Sequence, residues 1–324
     1  MVNIAIIGAG QLGSRHLQAL SKIDRPASIF VVDPFFTSLQ IAQKRFEEVA
    51  TEDSNVKDVK YLTTIETIPE KIEVAIIATN SDVRKEVIVN LVNSKKVDFL
   101  IIEKFMFPSI KSYNEVETLI NKKDIKAYVN CGRRMWPFYK HLKEKFSTSN
   151  YINYQVSSSN LGLGCNAIHF LDHLSFLSEE EDFGFQSILD ETISKSKRKG
   201  FVEFTGSLLG RANKCQIAIT SYPVESAPIS IIISSEKVRC VINESEGKAF
   251  ISDHKNDWLW TEVSFDTLLQ SQLTHLAVQQ LIDKNICDLT PYHQSSKLHI
   301  TLLKSFINHL RHQQDKEVTR CLIT

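Results

Sequence analysis

Three groups of residues in this chain have types and spacings suited to chemistry. The first is Gly8-Ala9-Gly10-Gln11-Leu12-Gly13, which follows the apolar run Ile4–Ile7 and precedes the helically spaced Ser14–Leu20. Strand, G-x-G-x-x-G and helix, in that order, form a dinucleotide-binding turn. Gly8 permits the tight turn, Gly10 lets the backbone approach a pyrophosphate, and Gly13 lets the helix close onto the strand. The N–H groups at the helix start, those of Gln11 and Leu12 among them, then face the phosphates with a partial positive charge. Asp33 ends the next strand-like run, Ser28–Val32, twenty positions after Gly13. A carboxylate there accepts hydrogen bonds from a ribose 2′-OH and repels a 2′-phosphate. No Arg or Lys follows until Lys44, so NAD(H) is favoured over NADP(H). The second group stands at two later strand ends. Thr79-Asn80-Ser81 closes Val74–Ala78 with small polar groups that can line a nicotinamide ribose, and Glu103-Lys104 follows Asp98–Ile102. The third group is Cys165, His169, Asp172 and His173, spaced by three and four after a glycine turn, so that several share one helix face.

Two kinds of scaffold hold these groups. Up to residue 130, apolar strands alternate with helices: the runs at 4–7, 28–32, 61–62, 74–78, 98–102 and 127–129 are separated by helical patterns, including one over 36–50. That alternation predicts a doubly wound parallel sheet with helices on both faces, an α/β Rossmann domain that gathers its ligands beyond the carboxyl ends of the strands. A second domain, 131–324, opens with a helix near 138–146 and a strand over 151–156, then carries the helix bearing His169. Strand candidates follow at 201–209, 215–222, 229–234 and 239–243 without helices between them, and Trp258 and Trp260 alternate along a further one. This predicts an α+β domain with a large, mainly antiparallel open sheet. Helices are expected over 272–282 and 294–309.

Composition narrows the classes. The 324 residues are 43% hydrophobic and 23% charged, with 38 basic against 38 acidic side chains. A formal net charge of zero argues against nucleic acid or an anionic membrane as the main partner, and no apolar stretch approaches a membrane span. Six cysteines lie scattered without metal or C-x-x-C spacing, as suits a reducing cytoplasm. No metal site is expected from His169, Asp172 and His173, because adjacent residues point apart.

The opening Gly8 to His16 and the Glu103-Lys104 strand end together resemble the Gfo/Idh/MocA family of oxidoreductases. Its members carry a G-x-G-x-x-G-x-R-H-like opening and Glu-Lys-Pro at this strand end; here Phe105 replaces the proline that helps fix the lysine backbone. The resemblance extends to the second domain, where the family has a glycine turn and Asp-x-x-x-His-x-x-Asp. His169 and Asp172 match the last two positions, and Cys165, with Asn166 beside it, stands at the first. The resemblance implies NAD(P)-dependent hydride transfer at a CH–OH carbon of a small polyhydroxylated molecule, a sugar, sugar derivative or nucleotide sugar. It makes Lys104 the group that holds the substrate oxygen as charge develops and His169 the general acid/base. It also puts Glu103 with the cofactor-binding set, and Cys165, Asn166 and Asp172 with the substrate, Asp172 orienting the histidine or its helix.

Alternatives stay open. Lys104 can be a surface lysine paired with Glu103, and His169 a packed core histidine. Arg133 and Arg134 can meet cofactor or an anionic part of the substrate, or pin the domains together. The basic run 195–200 can reach a diphosphate or be a solvated turn. The chain as a whole can be a dinucleotide-binding sensor or partner protein without catalysis, or an enzyme that keeps NAD bound for transient oxidation. A homodimer or homotetramer assembled through the C-terminal sheet is expected.

Overall fold

The computed structural model describes residues 1–224, 226–314 and 317–324. The chain divides into two units: Met1–Phe107, Lys111–Gly132 and Leu268–Tyr292 form the first, and Pro108–Ile110, Arg133–Thr267 and His293–Thr324 the second. The units are therefore not contiguous in sequence, unlike the expected 1–130 and 131–324. After Gly132 the chain leaves the first unit and later returns to it.

In the first unit β1 (Val2–Ile7), α1 (Gln11–Leu20), β2 (Ala27–Val32), α2 (Phe36–Glu47), β3 (Val56–Leu62), β4 (Lys71–Ile77), α3 (Ser81–Ser94), β5 (Lys96–Ile102), α4 (Ile110–Lys122) and β6 (Lys126–Val129) follow one another. The strands are parallel in the order β6-β5-β4-β1-β2-β3. Residues 4–7, 27–32 and 74–77 are buried throughout, as strands covered on both faces must be, which is why they read as unbroken apolar runs rather than alternating ones. The register then determines where the loops begin. Ile7 pairs with Val32 and Ile77, Ile77 with Ile102, and Ile102 with Val129. Gly8, Asp33, Ala78, Glu103 and Asn130 consequently leave the sheet at one level, with the strand order reversing at β1, where ligands of such sheets gather.

The second unit begins with α5 (Pro137–Phe146), β7 (Ile152–Ser159), α6 (Leu163–Ser178), β8 (Gly184–Leu189), the short pair β9 (Ser194–Lys195) and β10 (Val202–Glu203), and β11 (Gly206–Arg211). It continues through β12 (Cys215–Tyr222), β13 (Ser230–Ser235), β14 (Val238–Asn243), β15 (Lys248–Asp253) and β16 (Thr261–Ser264). Eight of these strands form one sheet in the order β16-β15-β14-β13-β7-β12-β11-β8, antiparallel except where β12 runs parallel to β7. One sheet face is apolar: Tyr154, Val156, Ile217, Ile219, Ile231, Ile233, Cys240 and Ile242 are buried. On the other, cross-strand pairing aligns Phe250, Val241, Ile232, Gln155, Ala218, Leu209 and Gln186 in a row, of which Phe250, Ile232 and Leu209 are exposed.

After β16 the chain re-enters the first unit as α7 (Thr274–Lys284) and β17 (Thr290–Pro291), which adds an antiparallel strand beside β6. It ends in the second unit with α8 (Tyr292–Gln314). Two strand assignments made from sequence are corrected. The candidate over 201–209 is divided between β10 (Val202–Glu203) and β11 (Gly206–Arg211), which belong to different sheets. The tryptophans lie outside any strand: β15 gives way at Asp253 to a 3-10 turn over His254–Asn256, followed by a left-handed kink with Asp257 and Trp258 at φ 47° and 60°. The Asp253 carboxylate caps that turn by accepting from the N–H groups of Lys255 and Asn256. The strand itself is Lys248–Asp253, and it and Gly184–Leu189 went unrecognised. Among the described residues no helix is long and apolar enough to cross a membrane.

Candidate functional site

At the carboxyl ends of β1, β2 and β4 the first unit holds a cleft of about 470 Å³. It is lined among others by Gly8, Gly10, Asp33, Phe35, Thr79 and Asn80. The three glycines of the turn differ in what surrounds them. Gly8 has φ 102°, a left-handed conformation, and a Cβ on it would lie 2.8 Å from the Ala78 carbonyl carbon. A Cβ on Gly13 would lie 1.8 Å from the Gly8 carbonyl oxygen, so α1 can pack this closely only without a side chain there. A Cβ on Gly10 would meet nothing within 4 Å; it would project into open space. The first turn of α1 has no side-chain cap and no acidic residue, which leaves its N–H groups available to an anion.

The Asp33 carboxylate is held at the mouth of this turn. Its Oδ2 accepts from the Ala9 N–H at 2.8 Å and its Oδ1 from the Phe35 N–H at 2.9 Å, leaving further lone pairs for a ribose hydroxyl. Thr79 Oγ1 is buried with no hydrogen-bond partner, an unsatisfied polar atom beside the cleft. Open space before Gly10, uncapped N–H groups, a fixed carboxylate and an orphaned hydroxyl fit a dinucleotide: pyrophosphate against Gly10, Gln11 and Leu12, and ribose hydroxyls at Asp33 and Thr79.

Lys104 stands where β5 ends, half-buried, next to a carboxylate that faces inward. Glu103 Oε1 accepts from Asn130 Nδ2 and lies 2.8 Å from His16 Nε2. His16 Nδ1 is 2.8 Å from Thr274 Oγ1, Gln270 Nε2 donates to Thr274 Oγ1, and Asn130 Nδ2 also reaches Gln270 Oε1 at 2.7 Å. Burial pushes the Glu103 carboxyl up, but the His16 and Asn130 hydrogen bonds, with the nearby His16 and Lys104 charges, outweigh it and hold Glu103 below the usual carboxylate range. The structure thus places Glu103 in a buried network joining β5, β6, α1 and α7, rather than along the lining of the cleft. The backbone on either side of Lys104 is gripped by Arg84 of α3, which is 1% exposed. Its Nη1 donates to the carbonyls of Glu103 (2.6 Å), Phe105 (2.5 Å) and Met106 (3.1 Å), and its Nη2 to that of Thr79. The Lys104–Phe105 peptide bond is cis, and the Phe105 ring is fully buried.

Sequence reasoning missed Arg84, His16 and Gln270 as supports of this corner. One signal was available: Arg84 falls in step with Ile88, Leu91 and Val92, the buried stripe of α3, and a charge on such a stripe must be paired.

In the second unit Cys165, Asn166 and His169 are half-buried on one face of α6, whereas Asp172 is wholly interior. Asn166 Nδ2 donates to the Leu161 carbonyl, closing the glycine turn, and the Glu203 carboxylate accepts from the Gly164 N–H at 2.8 Å. The Asp172 carboxylate is taken by Arg134, whose Nε and Nη2 donate to it at 2.8 and 2.9 Å. Arg133 forms the matching fork with Glu244 at 2.7 and 2.6 Å, and Tyr139 also donates to that carboxylate. Burial raises the Glu244 carboxyl, and the Arg133 charge more than reverses it. Each of the paired arginines therefore has its own carboxylate within the second unit. His173, held by Tyr154 OH at 2.9 Å, is pushed well below the ordinary histidine range by burial and then by Arg133 and Arg134. Of the expected site residues, the first unit brings Gly8, Gly10, Asp33, Thr79 and Asn80 together in one cleft, and the second brings Cys165, Asn166 and His169 to one helix face.

Residues 2–131 match the profile of the Gfo/Idh/MocA oxidoreductase family, described as an NAD-binding Rossmann fold. No curated protein matches the chain. Its fold is similar to that of an oxidoreductase from Agrobacterium radiobacter solved with NAD+, L-tartaric acid and magnesium (14% identity, 96% of this chain and 97% of that one, TM-score 0.73). It is likewise similar to UDP-N-acetylglucosamine 3-dehydrogenase GnnA from Acidithiobacillus ferrooxidans (12% identity, 94% and 96%, TM-score 0.66). A third similar structure is a super-repressor mutant of Gal80p from Saccharomyces cerevisiae (13% identity, 96% and 97%, TM-score 0.71).

The two inner glycines separate folding from binding. Gly13→Ala is expected to destabilise the chain by about 1–3 kcal/mol, as overpacking does. Gly10→Ala should leave stability within about 0.5 kcal/mol yet weaken NADH binding; equal effects on both properties from both variants would contradict the geometry. In the second unit Asp172→Ala strands the Arg134 charge and should cost about 3–5 kcal/mol in denaturant unfolding. A change below about 1 kcal/mol, the usual scale of an exposed ion pair, would show that the pair is not a structural anchor.

Proposed function

We propose that this chain, whose residues 2–131 are the NAD-binding Rossmann domain of the Gfo/Idh/MocA oxidoreductase family, is an NAD(H)-dependent oxidoreductase acting on a secondary alcohol or carbonyl carbon of a small polyhydroxylated substrate, a sugar or sugar derivative. One observation carries the reading: the cleft in which the open space before Gly10, the Asp33 carboxylate and the unpaired Thr79 hydroxyl match the phosphate and ribose groups of a dinucleotide. Bound nicotinamide supplies the acceptor or donor of hydride. The protein supplies the rest. The Lys104 ammonium holds the substrate oxygen and stabilises its charge as it becomes an alkoxide. His169 takes or returns the hydroxyl proton at a ring nitrogen. Asp33 disfavours a 2′-phosphate, so NAD(H) is preferred over NADP(H). The substrate class rests on the family and on the neighbouring UDP-N-acetylglucosamine 3-dehydrogenase, not on any residue of this chain.

Assembly as a homodimer or homotetramer through the outer face of the large sheet belongs to the same proposal, supported by the exposed Phe250, Ile232 and Leu209. A cytoplasmic location is supported by six free cysteines. A second reading, a dinucleotide-binding sensor without catalysis, is favoured by Cys165 standing where the family has aspartate, and the same fold serves the yeast protein Gal80p.

NADH formation from NAD+ across a panel of aldoses, polyols, uronates and nucleotide sugars separates the two. Turnover with at least one member is expected; NADH binding without any turnover would establish the sensor instead. With the substrate so found, Lys104→Ala should lower the single-turnover rate about 10²–10³-fold and His169→Ala about 10²–10⁴-fold, both with NADH binding retained. Unchanged rates would remove these assignments. Asp33→Ala should shift the ratio of NAD+ to NADP+ affinity toward NADP+, and an unaltered ratio would end its role as the discriminator.

A further inference from the structure

We propose that Arg84 is the positioning residue that sets the pose of Lys104 relative to the cofactor cleft; this rests on the reading of Lys104 given above. The argument begins with burial. Arg84 is 1% exposed, and a guanidinium removed from water at that depth must have its donors met. Here Nη1 and Nη2 donate to backbone carbonyls from two loops. Nη1 draws together the carbonyls of Glu103, Phe105 and Met106, which bracket Lys104, and Nη2 takes that of Thr79, at the end of the neighbouring strand.

The two loops are those that matter for the cofactor. Thr79 lines the cleft, and its hydroxyl is buried without a hydrogen-bond partner; Lys104 heads the next strand end. A single planar cation therefore fixes the distance between the two corners, and its fork geometry suits several simultaneous acceptors in a way a lysine cannot reproduce. The brace is also needed for a local reason. Where the resembled family has proline after the lysine, whose ring restrains the backbone, this chain has Phe105. The side chain of Glu103 is held separately, by His16 and Asn130, whereas Arg84 acts on the backbone carbonyls at 103, 105 and 106. Arg84 restrains the backbone there. It touches neither substrate nor cofactor in this account and acts through Lys104.

The test reads Lys104 directly and requires no substrate. Lysines of the full chain are reductively dimethylated with isotope-labelled formaldehyde, which preserves their charge. The Lys104 resonance is assigned by its absence from Lys104→Arg, and its response to saturating NAD+ is recorded in the parent, Arg84→Lys and Arg84→Gln proteins. The parent resonance should move on NAD+ addition. In the folded Arg84 variants, at equal NAD+ occupancy, that movement should be lost while the other lysine resonances keep their parent positions. A Lys104 response equal to the parent's overturns the proposal, even if thermal stability falls, because Arg84 would then serve packing alone. If neither variant folds, Arg84 serves the fold as a whole and the proposal fails. A parent resonance that NAD+ does not move would instead sink the placement of Lys104 beside nicotinamide, a different failure from that of the brace.

Discussion

The structure of the first unit depends on the register of its parallel sheet. Because Ile7, Val32, Ile77, Ile102 and Val129 are paired across five strands, the residues that follow them emerge at one level. Gly8 begins the phosphate turn, Asp33 closes over it, Ala78 leads to Thr79, Glu103 leads to Lys104, and Asn130 completes the support beneath. A slip of one residue in any strand would exchange its side chains between the two covered faces and move its loop out of line with its neighbours. The observed register aligns the polar ends.

Charge in the interior follows a second rule. Arg84, Glu103, Asp172, Arg134, Arg133 and Glu244 are all largely withdrawn from water, and each is met by fixed partners: carbonyls for Arg84, His16 and Asn130 for Glu103, a forked arginine for each of the other two carboxylates. Buried pairs of this kind contribute little net stability but make misplacement expensive. They mark the positions where the backbone must not drift. In the first unit that is the Lys104 corner, in the second the α6 turn that carries Asp172.

Much of this was legible in the sequence because it follows from local rules. The run Ile4–Ile7, the three glycines and Asp33 announced the turn, and Val74–Ala78 and Asp98–Ile102 announced the strands that carry Thr79 and Lys104. What could not be read were pairings between distant segments. Asp172 sits at the spacing of a histidine-orienting group, and the Arg134 fork that its carboxylate accepts comes from 38 positions earlier. Glu103 sits at the spacing of a cofactor ligand, yet its side chain turns to His16. Trp258 and Trp260 alternate as a strand would, but a 3-10 turn over His254–Asn256 and a left-handed kink at Asp257 and Trp258, invisible in the pattern, keep them in the connection between β15 and β16. The return of Leu268–Tyr292 to the first unit likewise leaves no local mark beyond the amphipathic spacing of α7.

The most direct measurement of the central claim is a crystal structure of the chain grown with NAD+. The account requires the pyrophosphate against Gly10 at the start of α1, a ribose diol on the Asp33 carboxylate, and the Thr79 hydroxyl paired with a cofactor oxygen. NAD+ seated elsewhere, or a cleft left vacant at saturating NAD+ with Thr79 Oγ1 still unpaired, would contradict it.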